Sequence, residues 1–403
     1  MKQNEKWLIA VTAGRWQKHG IKEARALGIK VIGVDSDPEA EGFDEVDYKL
    51  VIAFDNHQNI IEELRKLNFN YCGAVSFCSE AGMVLAGKIR EEFHLPGPNI
   101  NLCKKLLEKG IQRKIWSDAG VPGPEWKIFE SPETALTGIQ KSKLPVIIKP
   151  TDSSGSRGVS KIESLNEDIK EAVSKAFKFS RSNQVIVESF MDGTEFTVEV
   201  FAISGKVNVL AVTEKKKVEG TKGTVASELA TPDRPWEIIE KLKNAVIAAF
   251  MALEYTDGPG HAEIILKKDN SVGLVEVAGR GGGFMVFNGL VPAVSGVNIA
   301  KITAMQAIGD SVILDSIDSN AAVLRFFPSI PGKLVSISGF ETANALPGVL
   351  CEPFVTPGKV FHKAAADGDR LGYILSVASS FIEALQLADE AEKLIKFEII
   401  SVE

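Results

Sequence analysis

The chain has 403 residues, 45% hydrophobic and 25% charged, with a formal net charge of −7. This length allows two or three domains with sizeable cores, and an acidic chain with no basic stripe argues against a nucleic-acid footprint. The longest apolar run, Ala245 to Leu253, falls far short of the ~20 residues needed to cross a bilayer, and no long apolar segment follows Met1, so no membrane association and a cytoplasmic location are expected.

Strand and helix signals alternate over the first hundred residues. "WLIAVT", "IKVIGV" and "CGAVSF" read as buried strands, and "GIKEARALG" and "NIIEELRKL" as amphipathic helices. That alternation predicts a parallel sheet with helices on its faces. "TAGRWQKHG" after the first strand carries only Gly14 and Gly20, too few glycines for a dinucleotide fingerprint. Strand–helix turn glycines are the simpler expectation, although Asp35 ends the second strand where a ribose-binding acid could sit. The four cysteines, Cys72, Cys78, Cys103 and Cys351, form no CxxC pair. They are expected to be buried or incidental thiols in a reducing compartment. "HLPGPN", His94 to Asn99, reads as a linker, and "AGVPGPEW" breaks the helical signals that follow it.

Further along, "LPVIIKPTDSSGSRGVSKI" predicts a strand ending at Lys149, then a loop with Ser153, Ser154, Gly155, Ser156 and Gly158, then a short strand. Small residues let backbone N–H groups approach an anion, and Lys149 adds a point charge. A plain hairpin tip is the alternative, because no GK[ST] is present. "VIVESFMDGTEFTVEV" predicts a strand closed by Glu188, a bend near Met191, and a second strand from Glu195 with Phe196, Val198 and Val200 inward. Such a linker can offer backbone groups to a planar base, and Glu195 can accept from a ribose. Ordinary strand-end charges are the competing reading. The run Lys215-Lys216-Lys217 lies between Glu214 and Glu219 and reads as a solvated turn. From about Asn320 onward the signals are mostly strand-like, with one helix near Ser380 to Leu394.

"HAEIILKKDNSVGLVEVAGRGGG" is the most informative stretch. Two apolar runs flank Asp269-Asn270, whose side chains suit a tight turn. A two-residue turn there sets Glu263 directly opposite Glu276, with Cβ atoms about 4.5–5.5 Å apart. Two carboxylates about 4 Å apart repel by about 4 kcal/mol at an effective dielectric of about 20. Relief requires protonation, an intervening basic side chain, or a bridging cation. Carboxylates suit Mg²⁺ that also takes substrate phosphates, and Arg280, among glycines, can fork onto phosphate oxygens. The cation is therefore the expected relief.

These motifs, in this order, resemble the ATP-grasp superfamily over nearly the whole chain. The resemblance implies an α/β protein with an ATP-grasp fold. Its parts would be an N-terminal parallel α/β domain (1–98), a two-lobed nucleotide-binding region (99–310) and a small, mostly β C-terminal domain (311–403) completing the substrate site. Lys109, in "KGIQRKIWSDAGVPGPEW", would reach the nucleotide phosphates, with Arg113 one turn on. Lys149 would be the second nucleotide lysine, and Ser153 to Gly158 the loop that closes over the phosphates. Glu188, Ser189, Phe190 and Met191 would form the hinge beside adenine, and Glu195 would hold the ribose. Glu263 and Glu276 would be the magnesium ligands, with Mn²⁺ as an alternative ion. Arg280 would contact the transferred phosphate. His261 is a candidate catalytic residue near an acyl phosphate, or else a structural histidine.

One position departs from the pattern. Ala278 stands two residues after Glu276, where many members carry a metal-binding Asn. The "E-x-A-x-R" form resembles carboxylate–amine ligases that join amino acids. The implied reaction consumes ATP, forms an acyl phosphate on a carboxylate, and joins it to an amine with release of ADP and phosphate. The implied partners are small-molecule carboxylate and amine substrates, with a homodimer as a candidate assembly. Residues 215 to 228 would form a second flap over the acceptor. The competing readings are a purine-pathway or carboxylating ATP-grasp enzyme, a nucleotide-binding module without turnover, and a nicotinamide oxidoreductase.

Overall fold

A computed structural model of the chain describes residues 5–401 except 55, 154, 166–167, 219–224 and 315. Strands Lys6–Val11, Lys30–Asp35, Tyr48–Val51 and Asn70–Val75 form a parallel sheet. The first strand lies between the second and the fourth, and the third is at the edge. One face packs against helices His57–Leu67 and Glu80–Phe93 through Ile9, Val11, Leu64, Leu85 and Ile89. The other cluster joins Ile21 and Phe77 to Phe287, Leu290 and Ile299, so the N-terminal domain is fastened to elements late in the chain.

The glycines of the first turn have two different roles. Gly14 immediately precedes helix Arg15–Ala26, but Gly20 lies inside that helix. A Cβ on Gly20 would come 2.4 Å from the Phe77 ring, so close packing rather than turn geometry requires glycine there. Asp35 joins the two strand ends, with Oδ2 accepting from Ala13 N at 2.7 Å and Oδ1 from Asp37 N at 3.0 Å.

The middle of the chain builds two lobes. In the first, strands Trp126–Phe129, Val185–Ser189, Val146–Pro150 and Ser160–Ile162 pair antiparallel in that spatial order. Helices Pro132–Gln140 and Ile169–Phe179 cover them through Ala135, Ile139, Val173 and Ala176. The second lobe belongs to an eight-stranded antiparallel sheet. It begins at the edge strand Val272–Ala278 and continues through Gly258–Lys267, Gly193–Ile203, Lys206–Lys217 and Ala226–Ala230. The C-terminal strands Ala321–Pro328, Arg370–Ala378 and Val349–Pro353 then extend it without a break, with Leu229 opposite Leu324. The sheet thus crosses the boundary expected near residue 311. Helix Phe381–Leu394 lies where the sequence predicts one. A second, short helix, Phe340–Asn344, was not expected; Ala343 is its only buried residue, too little for a periodic signal.

The lysine run overturns its sequence reading. Lys215, Lys216 and Lys217 end a 12-residue strand rather than forming a solvated turn. Strand alternation sends Lys216 toward Glu228 and its two neighbours to the other face.

The hairpin reaches its expected register by an unexpected route. Asn270 is left-handed at φ 61°, Lys267 N–H donates to Ser271 O at 2.8 Å, and Leu266 pairs with Val272. The turn is therefore one residue longer than a two-residue loop and would by itself set Glu263 opposite Val275. A β-bulge corrects this: Ile264 pairs with Leu274, Glu263 pairs with Glu276, and Val275 is the extra residue. Helix Lys109–Asp118 holds this bulged edge. Arg113 Nη2 donates to Val275 O at 2.6 Å, Gln112 Nε2 donates to Val277 O at 2.8 Å, and Gln112 Oε1 accepts from Val277 N at 3.3 Å. Gln112→Ala should cost about 2–4 kcal/mol, because it leaves a buried donor and acceptor unpaired. Hydrogen exchange should show faster opening confined to Val272–Ala278 and its neighbours; unchanged protection at Val277 would contradict this account.

Candidate active site

Side chains two apart on a strand share a face, and the ladder carries one such face across the large sheet. Glu276 and Ala278 oppose Glu263 and His261; those oppose Thr197 and Glu199; Thr197 opposes Thr213. Lys215 follows two residues later. A cavity of about 530 Å³ opens over this face, and Thr197, Lys215, His261, Glu263, Glu276 and Arg280 line it. Gly155 and Ser156 come from the glycine-rich loop, Glu80 and Trp16 from the N-terminal domain, and Phe326, Asp367 and Arg370 from the C-terminal section. Three parts of the chain therefore meet at one site.

Basic side chains relieve the opposed carboxylates. Lys215 Nζ lies 2.6 Å from Glu263 Oε1 and 2.5 Å from Glu195 Oε1, and Lys217 holds the other Glu195 oxygen at 2.5 Å. Lys109 Nζ lies 2.9 Å from Glu276 Oε2 and donates to Ser153 O at 2.8 Å. Glu188 is 4% exposed and closes on Lys149 at 2.9 Å and Arg113 at 2.8 Å. Burial pushes the Glu276 carboxyl up, but Lys109 and Lys149 outweigh it and hold the group at about 2. Burial likewise opposes ionisation of Glu195, and Lys215 and Lys217 bring it to about 2. Burial favours neutral Lys109, yet Glu276 raises its pKa; for Lys149 burial prevails over Glu188 and its pKa falls.

The predicted residues divide into two groups. Gly155, Ser156, His261, Glu263, Glu276 and Arg280 line the cavity directly, while Lys109, Lys149 and Glu188 form the buried charge layer beside it. Ser156, Gly155 and Gly158 all have left-handed backbones, at φ 58°, 63° and 78°. Ser154 and residues 219–224 of the expected second flap lie outside the described residues. The hinge is partly self-occupied: Ser189 N donates to Glu125 O at 2.8 Å and Phe190 N to Pro145 O at 3.0 Å. Met191 packs on Gly273, where a Cβ would come 2.4 Å from its sulfur. The Glu188 side chain is not an exposed strand-end charge, because two cations enclose it.

His261 Nδ1 is in close contact with Glu199, a carboxylate 1% exposed that also accepts from Gly282 N at 3.3 Å. This orients the ring and leaves Nε2 as the nitrogen turned from Glu199. Arg280 donates from Nη1 to Gly281 O at 3.0 Å and from Nη2 to Glu80 Oε1 at 2.5 Å. Sequence reasoning missed the contributions of Lys215, Glu199 and Glu80. Strand alternation could have found the first two; Glu80 arrives from another domain and carries no local signal.

A family model described as an ATP-grasp domain matches residues 142–288. The chain carries an ATP-grasp domain. A second model, L-amino acid ligase C-terminal domain 2, matches residues 325–399. The L-amino acid ligase from Bacillus licheniformis superposes with a TM-score of 0.85 at 22% identity, covering 100% of both chains. The uncharacterized protein y4rH of Sinorhizobium fredii is 26% identical over 390 residues, 94% of this chain and 80% of that protein. A D-alanine–D-alanine ligase of Clostridium botulinum is 26% identical over 277 residues, 66% of this chain and 88% of that protein. Among the described residues no helix is long and apolar enough to cross a membrane.

The depressed carboxyls set a pH window. Pairing of Glu195 and Glu276 contributes stability above their ordinary value of 4.5, and that contribution is lost as pH falls toward about 2. Lys215→Met should therefore shift acid unfolding to higher pH, as followed by circular dichroism. An unmoved acid transition would mean that the lysine carries none of this stability.

Proposed function

We propose that the chain is an ATP-dependent carboxylate–amine ligase that joins a carboxylate substrate, an amino acid, to an amine, releasing ADP and phosphate. The observation that carries this reading is the register of Glu263 against Glu276 on the cavity face, with Lys109, Lys215 and Arg280 around them. The C-terminal match supports amino acids as substrates over a purine-pathway or carboxylating acceptor.

The donor set fits a divalent ion bound together with phosphates. Two carboxylates face one cavity, and among the described residues no group of three or more His, Cys, Asp and Glu side chains forms a closed metal cage. An ion held by one or two carboxylates plus substrate phosphates is the usual magnesium arrangement. Magnesium held there by Glu263 and Glu276 would withdraw charge from phosphoryl oxygens, and Mn²⁺ offers the same chemistry. Ala278 contributes no ligand, so these two acids carry the protein's share.

The chain's own residues then have distinct tasks. Lys109 and Lys149 supply positive charge for the phosphates, and Glu195 holds the ribose. Arg280 contacts the transferred phosphate. A carboxylate oxygen attacks γ-phosphorus and ADP departs; the amine then attacks the acyl carbon and phosphate departs. The loop from Ser153 to Gly158 excludes water that would hydrolyse the acyl phosphate. His261, oriented by Glu199, takes the proton from the incoming amine in this reading.

A pooled amino-acid screen for ADP release, with mass spectrometry of the product, tests the reading directly. Glu276→Gln should lower ADP formation by at least about 100-fold, as expected for loss of a transition-state electrostatic group, while the fold persists. Lys149→Ala should weaken nucleotide binding or phosphoryl transfer. Normal turnover in either variant would remove the assigned role.

A further inference from the structure

A second, smaller cavity, of about 50 Å³, lies where the "HLPGPN" linker meets the N-terminal domain and the nucleotide-binding region. Arg90 of helix Glu80–Phe93, Gly97 of the linker, Cys103, Asp257 and Gln306 are on its lining. Gly97 has φ 107°, and a Cβ there would come 3.1 Å from Arg90 Cδ, so glycine lets the linker lie against the arginine stem. The cavity shares no lining residue with the one that holds Glu263 and Glu276.

Arg90 is 8% exposed, yet it has no acidic partner among the described residues. Nε donates to Pro98 O at 2.7 Å, Nη1 to Ala74 O at 2.7 Å, and Nη2 to Cys103 Sγ at 3.5 Å. A guanidinium has five N–H donors. Each terminal nitrogen therefore keeps one N–H with no partner among the described residues. The thiol supplies no counter-charge, because burial pushes the Cys103 pKa up against the pull of Arg90. Asp257 is engaged instead by Ser204 N at 3.0 Å and Gln306 Nε2 at 2.9 Å. A buried cation without a counter-charge is costly, and linking Pro98 to Ala74 requires donors rather than a charge.

We propose that this cavity is a second ligand site, which binds a small carboxylate anion of formate or acetate size on the Arg90 guanidinium. The two unpartnered donors sit on different nitrogens, which suits the two oxygens of one carboxylate. Volume sets the size: at roughly 10–15 Å³ per water-sized group, the cavity holds about four heavy atoms. The site does not depend on the ligase reading. Pro259 on its lining belongs to the strand that carries His261 and Glu263, and Gly279, also on the lining, precedes Arg280. An anion bound there braces the N-terminal helix and the linker against the strands of the main cavity.

The test titrates the full-length protein with ¹³C-labelled formate, replacing chloride at constant ionic strength. The wild-type protein should broaden the formate signal saturably, acetate should reverse the broadening, and formate should raise Tm above its value in chloride. Arg90→Lys keeps the charge but loses the fork, and should weaken formate binding by at least about 10-fold. Arg280→Met alters the main cavity and should bind formate as the wild type does. Equal behaviour of formate and chloride, or loss of binding in Arg280→Met with binding kept in Arg90→Lys, would overturn the inference. A formate-soaked crystal of the wild-type protein decides the matter even if Arg90→Lys does not fold. Formate bridging the two terminal nitrogens of Arg90 supports the site; formate on Arg280 alone, or binding at crystal concentration only, refutes it.

Discussion

Two carboxylates directly opposed on a β-ladder cannot both stay ionised unless positive charge lies beside them. Glu263 and Glu276 satisfy this constraint through Lys215 and Lys109, which approach from opposite sides. Lys215 comes from the same sheet, two strands away, and Lys109 from the first turn of a helix packed on the edge strand. Each lysine is shared: Lys215 also neutralises Glu195, and Lys109 also donates to Ser153 O in the glycine-rich loop. The charge layer thereby couples Glu195, the two opposed acids and the glycine-rich loop. Buried pairs of this kind contribute little net stability over an apolar core, and losing one partner is costly. Their retention here fits a site that exchanges partners, since the cations holding the acids are also the cations suited to phosphates.

The fold provides this arrangement through two local departures from regularity. The bulge at Val275 compensates for the longer turn and keeps Glu276 on the face of Glu263. A one-residue slip would have sent one acid to the opposite face. Arg113 reads the bulge through the Val275 carbonyl while its Nε holds Glu188. The bulged strand edge of the second lobe and the first lobe are thus tied by one guanidinium, itself 2% exposed. Burial of so large a cation is affordable because Glu188 is equally buried and also bound to Lys149.

Much of this was legible in the sequence. Alternating strands and helices predicted the parallel domain, and the hairpin predicted the facing acids. The hairpin succeeded partly because two errors cancelled: the turn is longer than expected, and the bulge restores the count. Local pattern cannot show a bulge when the extra residue, Val275, is as apolar as its neighbours. The lysines that hold the acids were hidden for a related reason. Lys215 sits in a run of three lysines that looks solvated, and only its pairing across the sheet reveals that it points inward. Glu188 looked like a surface charge because its two cations lie 75 and 39 positions earlier in the chain. Glu80 and Arg280 are 200 residues apart and meet only after the domains pack. Pairings at such separations leave no periodic trace.

The continuous sheet also bears on specificity. Leu229 opposes Leu324 across the expected domain boundary, and Phe326 follows on the cavity side. A C-terminal section joined by ladder hydrogen bonds cannot tilt freely against the nucleotide lobe, unlike one attached by a linker alone. Its contribution to the cavity is therefore rigid: Arg370 is 4% exposed, lies 3.7 Å from the Phe326 ring centroid and 4.7 Å from that of Phe284, and is tied to Ala226 O and Asp367. Adaptation to different substrates must then come from side chains on fixed strands and from the loops that close over them. On that view the charge layer sets one side of the cavity, and Phe326, which the shared sheet holds in register, sets the far wall.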